Sequence, residues 1–166
     1  MRNALVAQIH DAPLTIVLAV TGGGVASIGD LLGVPGASRT VLEVTVPYAS
    51  QALLDLIGSV PEQAVSEDTA RRMATSCARR AGELADGPVA GVACTASLVT
   101  DRPKRGDHRA HVAIDLGGVV TSWQLTLEKG VRDRLGEDRV VSDALLHVIA
   151  LACGIDAPAP SELVAD

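Results

Sequence analysis

Residues 14–32 read LTIVLAVTGGGVASIGDLL: an apolar run over 14–20, an abrupt stop at Thr21, Gly22, Gly23 and Gly24, then helix-like spacing. The run predicts a buried strand that hands the chain to a helix through glycines. Three glycines let the backbone take positive φ and approach a neighbour closely, and the N–H groups opening the next helix attract phosphate or carboxylate. A phosphorylated small molecule is one candidate occupant of this turn. A tight strand-to-helix connection with nothing bound is the other.

Working outward, Leu5, Val6 and Ile9 sit at helical spacing over Arg2–Asp11, and Pro13 separates that helix from the first strand. Downstream, Val25, Ile28, Leu31 and Leu32 mark a short helix that stops at Gly33, Val34, Pro35 and Gly36. Residues 41–46 alternate and are β-branched enough for a second strand, closed by Pro47 and Tyr48, and Ser50–Ile57 follows as a helix. Ser66 is an N-cap with Glu67 and Asp68 in the first turn, and it opens a long amphipathic helix. Ala70, Met73, Cys77, Ala81 and Leu84 mark its inner face, and Arg71, Arg72, Arg79 and Arg80 a solvated outer one. Residues 88–98 form a strand buried on both faces, 111–116 and 119–127 flank Gly117 and Gly118 as a hairpin, and 137–153 close the domain as a helix. This order predicts an α/β fold, a three-layer α/β/α sandwich with a mixed sheet of about five strands. One domain is expected over residues 1–155, with an Ala/Pro-rich tail over 156–166.

The bulk numbers exclude several function classes. A formal charge of −6 opposes general binding to nucleic acid or to an anionic membrane. With no Phe, one Trp and one Tyr there is no platform on which bases could stack. Cys77, Cys94 and Cys153 are odd in number and lack a CxxC pair, so they read as core residues of a reduced, cytoplasmic protein. His10 and Asp11 interrupt any leader-like apolar stretch, and no segment reaches transmembrane length.

Against this acidic background, residues 100–109 (TDRPKRGDHR) concentrate basic charge between two apolar strands. Arg102, Lys104, Arg105 and Arg109 can neutralise a phosphate, with Arg gripping it bidentately. A solvated loop whose Asp and Arg side chains pair with each other is the alternative. Ser38, Arg39, Thr40, Glu43 and Tyr48 form a second polar group, and Glu43 in an apolar strand calls for a cationic partner. His108 and His111 lie three apart on an extended segment, hence on opposite faces, and no third ligand is evident, so no metal site and no cofactor are expected. No nucleophile-elbow motif surrounds any serine.

In order and spacing, TGG (21–23), VPGAS (34–38), VPY ending at Tyr48, LIG (56–58), AVSEDTARRMA (64–74) and GVACTASL (91–98) resemble the CinA C-terminal domain, the family that includes nicotinamide mononucleotide amidohydrolases. The resemblance implies a five-stranded mixed sheet, a pocket for a ribonucleotide monophosphate, and dimers or higher oligomers. VPGASRTVLEVTVPY and TDRPKRGDHR look like a divergent CinA-like branch, sometimes found beside a nucleotidyltransferase-like domain. In the amidohydrolases a serine in ESCTGG is the nucleophile and a lysine in YSNEAK its base, with a tyrosine nearby. Here those segments read LAVTGG and YASQAL, so the serine is Ala19, the lysine is Leu53, and Tyr48 alone remains. A methyl group attacks nothing, and the family's Ser/Lys chemistry is unavailable. The family's glycine-rich GIAGP turn is likewise replaced, by Thr95, Ala96, Ser97 and Leu98.

The leading expectation is a domain that binds a phosphorylated nucleotide or related metabolite without amide hydrolysis. Its ligand residues would be Thr21, Gly22, Gly23, Gly24, Ser38, Arg39, Tyr48, Arg102, Lys104, Arg105 and His108. Two alternatives stand beside it. One is a hydrolase with relocated machinery, using Thr21, Cys94 or Ser38 as nucleophile and Tyr48 or His108 for proton transfer. The other is a ligand-free interaction domain serving a partner protein.

Overall fold

A computed structural model of the chain describes residues 1–164. Helix α1 (Arg2–Asp11) precedes strand β1 (Thr15–Thr21), helix α2 (Ala26–Gly33), a 3₁₀ turn (Ala37–Arg39), β2 (Val41–Thr45), α3 (Ser50–Ile57) and α4 (Glu67–Leu84). Strands β3 (Val89–Ser97), β4 (His108–Leu116) and β5 (Val119–Leu127), helix α5 (Arg134–Ala152) and a second 3₁₀ turn (Pro160–Val164) complete it. The sheet order is β2-β1-β3-β4-β5. The strands β2, β1 and β3 run parallel, whereas β4 and β5 are antiparallel to their neighbours, giving the expected mixed five-stranded sheet. Among the described residues, no helix is long and apolar enough to cross a membrane.

Period-2 alternation assigns each strand residue to one of two cores. Ile16, Leu18, Val20, Val92, Cys94, Val112 and Ile114 face α5, with α1 and α2 beside it. On the opposite face, Val17, Ala19, Ala93 and Ala113 meet Leu53 of α3 and Ala70, Met73, Ala74 and Cys77 of α4. Small residues dominate this second core because α4 lies close over the sheet. The two cores with the sheet between them are the three predicted layers. Glu43 finds the cation it needed, with Arg80 reaching both its carboxylate oxygens at 3.3 and 3.2 Å.

Several local expectations shift. Leu84 is 41% exposed rather than part of the inner face of α4. The arginines of α4 are not all solvated, since Arg71 is half-buried and donates to Ser122 Oγ and the Val120 carbonyl, whereas Arg80 stays exposed while bound to Glu43. Strand β4 begins at His108, three residues earlier than expected, which shortens the charged loop. Helix α5 begins at Arg134, three residues earlier than expected, because Asp133 caps it by accepting from the Gly136 N–H. Residues 157 and 163 of the tail pack on the α5-side core, and residues 165–166 lie outside the described residues.

In a mixed sheet of this order the carboxyl ends of β1, β2 and β3 and the amino end of β4 share one edge. That edge is where open α/β sheets place their ligands.

Candidate functional site

At the turn after β1 the glycines have a structural occupant, and it is the protein itself. Gly22 and Gly24 take φ of +77° and +84°, and a Cβ on Gly22 would lie 2.0 Å from the Ala96 carbonyl oxygen. One on Gly24 would lie 2.5 Å from Leu145 Cδ1. The turn is thus pressed onto β3 and α5. The first N–H groups of α2, from Val25 and Ala26, donate to the two carboxylate oxygens of Asp138 at 3.1 and 2.9 Å. Ser142 Oγ adds a third donor to the same carboxylate. The helix start has its anion, a buried side chain from α5. The expectation of a phosphate at the start of this helix is therefore corrected: its donors are spent internally.

Positive charge gathers a few residues away, where β3 leaves the sheet. Lys104 Nζ donates to Ser97 Oγ and the Leu98 carbonyl at 2.8 and 2.7 Å. Arg134 donates to the carbonyls of Val99 and Gly22, Arg109 to that of Val65, and Lys129 to that of Lys104. All four cations are bonded to carbonyl or hydroxyl oxygens, and among the described residues none of them forms an ion pair. Each of them donates to a protein oxygen, and Glu137 is the carboxylate that acts on Lys104. Burial and the neighbouring Arg134 push the Lys104 ammonium below its usual range, with Arg109 and Lys129 adding to the effect against Glu137. Arg102 and Arg105 lie exposed on the adjoining loop.

The positions that the family resemblance assigns to nucleophile and base lie on the α4 side of the same edge. Ala19 and Leu53 belong to one apolar cluster and are 0% and 5% exposed. A cleft of about 260 Å³ reaches Leu53, lined also by Ser50, Gln51, Leu54, Val60, Pro61 and Ala64. Its rim is tied to the sheet, since Thr95 Oγ1 donates to the Ala64 carbonyl at 2.7 Å, one residue from the carbonyl that Arg109 holds. Leu53→Lys would push an ammonium into this apolar cluster and is expected to lower stability by about 2 kcal/mol, read by urea unfolding.

No family model matches the chain. A curated "CinA-like protein" of Desulfosudis oleivorans is 34% identical over 97 residues, which is 55% of this chain and 23% of that protein. The competence/damage inducible protein CihA of Agrobacterium tumefaciens superposes with a TM-score of 0.71 at 19% identity, over 91% of this chain and 94% of its own. The chain has the fold of these CinA superfamily structures. A CinA superfamily protein of Escherichia coli gives a TM-score of 0.69 at 18% identity, over 91% of this chain and 87% of its own. At these identities the structures speak for the fold, and the chain spans less than a quarter of the curated relative's length.

Within the CinA-like fold the expected site residues separate into two groups. Thr21 ends β1, Tyr48 follows β2 and is 64% exposed, and Lys104, Arg102, Arg105 and His108 follow or open strands at the same edge. Ser38 and Arg39 do not join them. They precede β2 at the amino edge, where Arg39 is held by the His10 carbonyl and Asp11 Oδ1. The length of β1 separates that edge from Thr21, roughly 20 Å at about 3.3 Å per residue. Arg39 cannot close over a ligand at the carboxyl edge, which is a second correction. As for the relocated nucleophiles, Cys94 is fully buried and burial pushes its thiol up, so it is neither reachable nor ionised. Ser38 is excluded with Arg39. His111 is buried beside Arg109, and both burial and that charge lower its pKa. Among the described residues no group of His, Cys, Asp and Glu is arranged to hold a metal. Sequence reading missed Asp138, Glu137, Arg134 and Lys129. Only Asp138 and Glu137 carried a signal, as acidic residues in an otherwise apolar stripe of α5.

Proposed function

We propose that this CinA-like domain binds a phosphorylated nucleotide or related metabolite at the carboxyl edge of the sheet and does not hydrolyse amides by the Ser/Lys route. The observation that carries the reading is the convergence of Lys104, Arg109, Lys129 and Arg134 without an ion pair in a chain of net charge −6. Unpaired charge held at fixed positions attracts an anion at little further ordering cost. The anionic group sits among these four cations, with Arg102 and Arg105 closing from the loop. An uncharged part of the ligand extends toward the Leu53 cleft beyond Val65 and Ala64.

Nicotinamide mononucleotide and ADP-ribose serve as probes. Each is expected to raise the unfolding temperature saturably, and added salt is expected to weaken the effect. Nicotinamide mononucleotide is expected to release no ammonia. A flat unfolding temperature across both probes contradicts the binding reading, and ammonia release contradicts the lost Ser/Lys chemistry.

A further inference from the structure

The β3 exit contains one pair of ionisable groups that the binding reading leaves unused. Glu137, on α5, is 0% exposed, yet it lies in the first turn of a helix that could have turned it to solvent. Its Oε2 accepts from the Val99 N–H at 2.8 Å and its Oε1 meets His108 Nδ1 at 2.7 Å. The peptide unit between Leu98 and Val99 is thereby gripped from both sides, its carbonyl by Lys104 and its N–H by Glu137. This fixes the carboxylate rigidly relative to the cations. It also fixes the ring of His108, which opens β4 at the same edge.

A carboxylate oxygen only accepts, so Nδ1 of His108 carries the hydrogen. In the neutral ring the lone pair then belongs to Nε2. Among the described residues that nitrogen takes no hydrogen bond, and the His108 side chain keeps about 10% of its surface exposed. The arrangement comprises a base nitrogen without a partner, an orienting carboxylate behind it, and Lys104 and Arg134 gathered at the same β3 exit. General base catalysis at an anionic centre needs these elements in this order.

We propose that His108 is a general base and Glu137 its positioning residue, and that the pair hydrolyses a phosphate ester of the ligand held by the surrounding cations. The proposal rests on anion binding at the β3 exit. In the reaction, Nε2 takes a proton from a water molecule as the water oxygen forms a bond to phosphorus. The bond from phosphorus to the leaving oxygen breaks, and that oxygen takes the proton back from the imidazolium. Ester and water become phosphate and alcohol. Lys104 and Arg134 offset the charge that grows on the phosphoryl oxygens. This chemistry uses neither Ala19 nor Leu53.

The test uses p-nitrophenyl phosphate and bis(p-nitrophenyl) phosphate with the intact chain and a chelator present. The wild type is expected to release p-nitrophenol from at least one of them. His108→Gln is expected to lower kcat by on the order of 100-fold or more, with KM within about twofold. Glu137→Gln is expected to lower kcat by about tenfold while likewise sparing KM. Inorganic phosphate, followed through the unfolding temperature, reports anion binding separately. Hydrolysis of neither ester overturns the proposal even where phosphate stabilises the protein, and so does a His108→Gln variant that keeps its rate. Where a variant fails to fold, nitrogen NMR of the wild type decides. An unprotonated Nε2 at neutral pH that shifts on adding phosphate supports the base, and a ring protonated only at Nε2, or an Nε2 signal that phosphate leaves unmoved, overturns it.

Discussion

Asp138→Ala is expected to lower the stability of the domain by about 2–4 kcal/mol, measured by urea unfolding, because it strands the Val25 and Ala26 N–H groups and removes the acceptor of Ser142. Asp138→Asn keeps one acceptor oxygen and is expected to lose about half as much. A second outcome separates this account from a simple loss of packing. With the carboxylate gone, the start of α2 becomes an open site for an anion, and millimolar inorganic phosphate is expected to stabilise Asp138→Ala more than it stabilises the wild type. The glycine-rich turn keeps the physics of an anion site while the fold supplies the anion. An Asp138→Ala variant as stable as the wild type would show that α2 is held by its apolar face alone.

Gly91→Ala is expected to cost about 4 kcal/mol or to abolish folding. A Cβ at that position would lie 2.0 Å from the Ala74 carbonyl oxygen and 2.2 Å from the Ala78 nitrogen, both in the backbone of α4. Backbone cannot rotate away as a side chain can. To make room, α4 would lift from the sheet and with it the contacts of Met73, Ala74 and Cys77 with Val17, Ala19 and Ala93. Circular dichroism and denaturant unfolding check the result, and a variant within about 1 kcal/mol of the wild type would mean that α4 moves freely over the sheet.

Gly91 also shows where sequence reading succeeds and where it stops. An apolar strand of small residues was legible as a strand buried on both faces, and β3 is the central strand of the sheet. The reason it must be small, a helix backbone in contact, depends on packing between elements 13 or more positions apart and leaves no local mark. The same limit governs the site. That Thr21 lies at a strand end and Lys104 in the loop between two strands was legible because strand ends and charged loops declare themselves in sequence. Ser38 and Arg39 seemed to belong with them because they flank β2, but a flank has two ends, and sequence does not say which edge of the sheet each end will occupy. The turn at Gly22–Gly24 was read from its local chemistry as ready for an anion. That Asp138 would supply one from 112 positions away is a property of tertiary structure.

The most direct test is a calorimetric titration of ADP-ribose into the wild type at low ionic strength, repeated with Lys104→Gln and Arg134→Gln. The amide side chains keep a hydrogen-bond donor for the carbonyls at the β3 exit and remove only the charge. The account predicts saturable binding to the wild type and a loss of affinity of about tenfold in each variant. Binding that is unchanged by both substitutions, or no binding to the wild type, would contradict it.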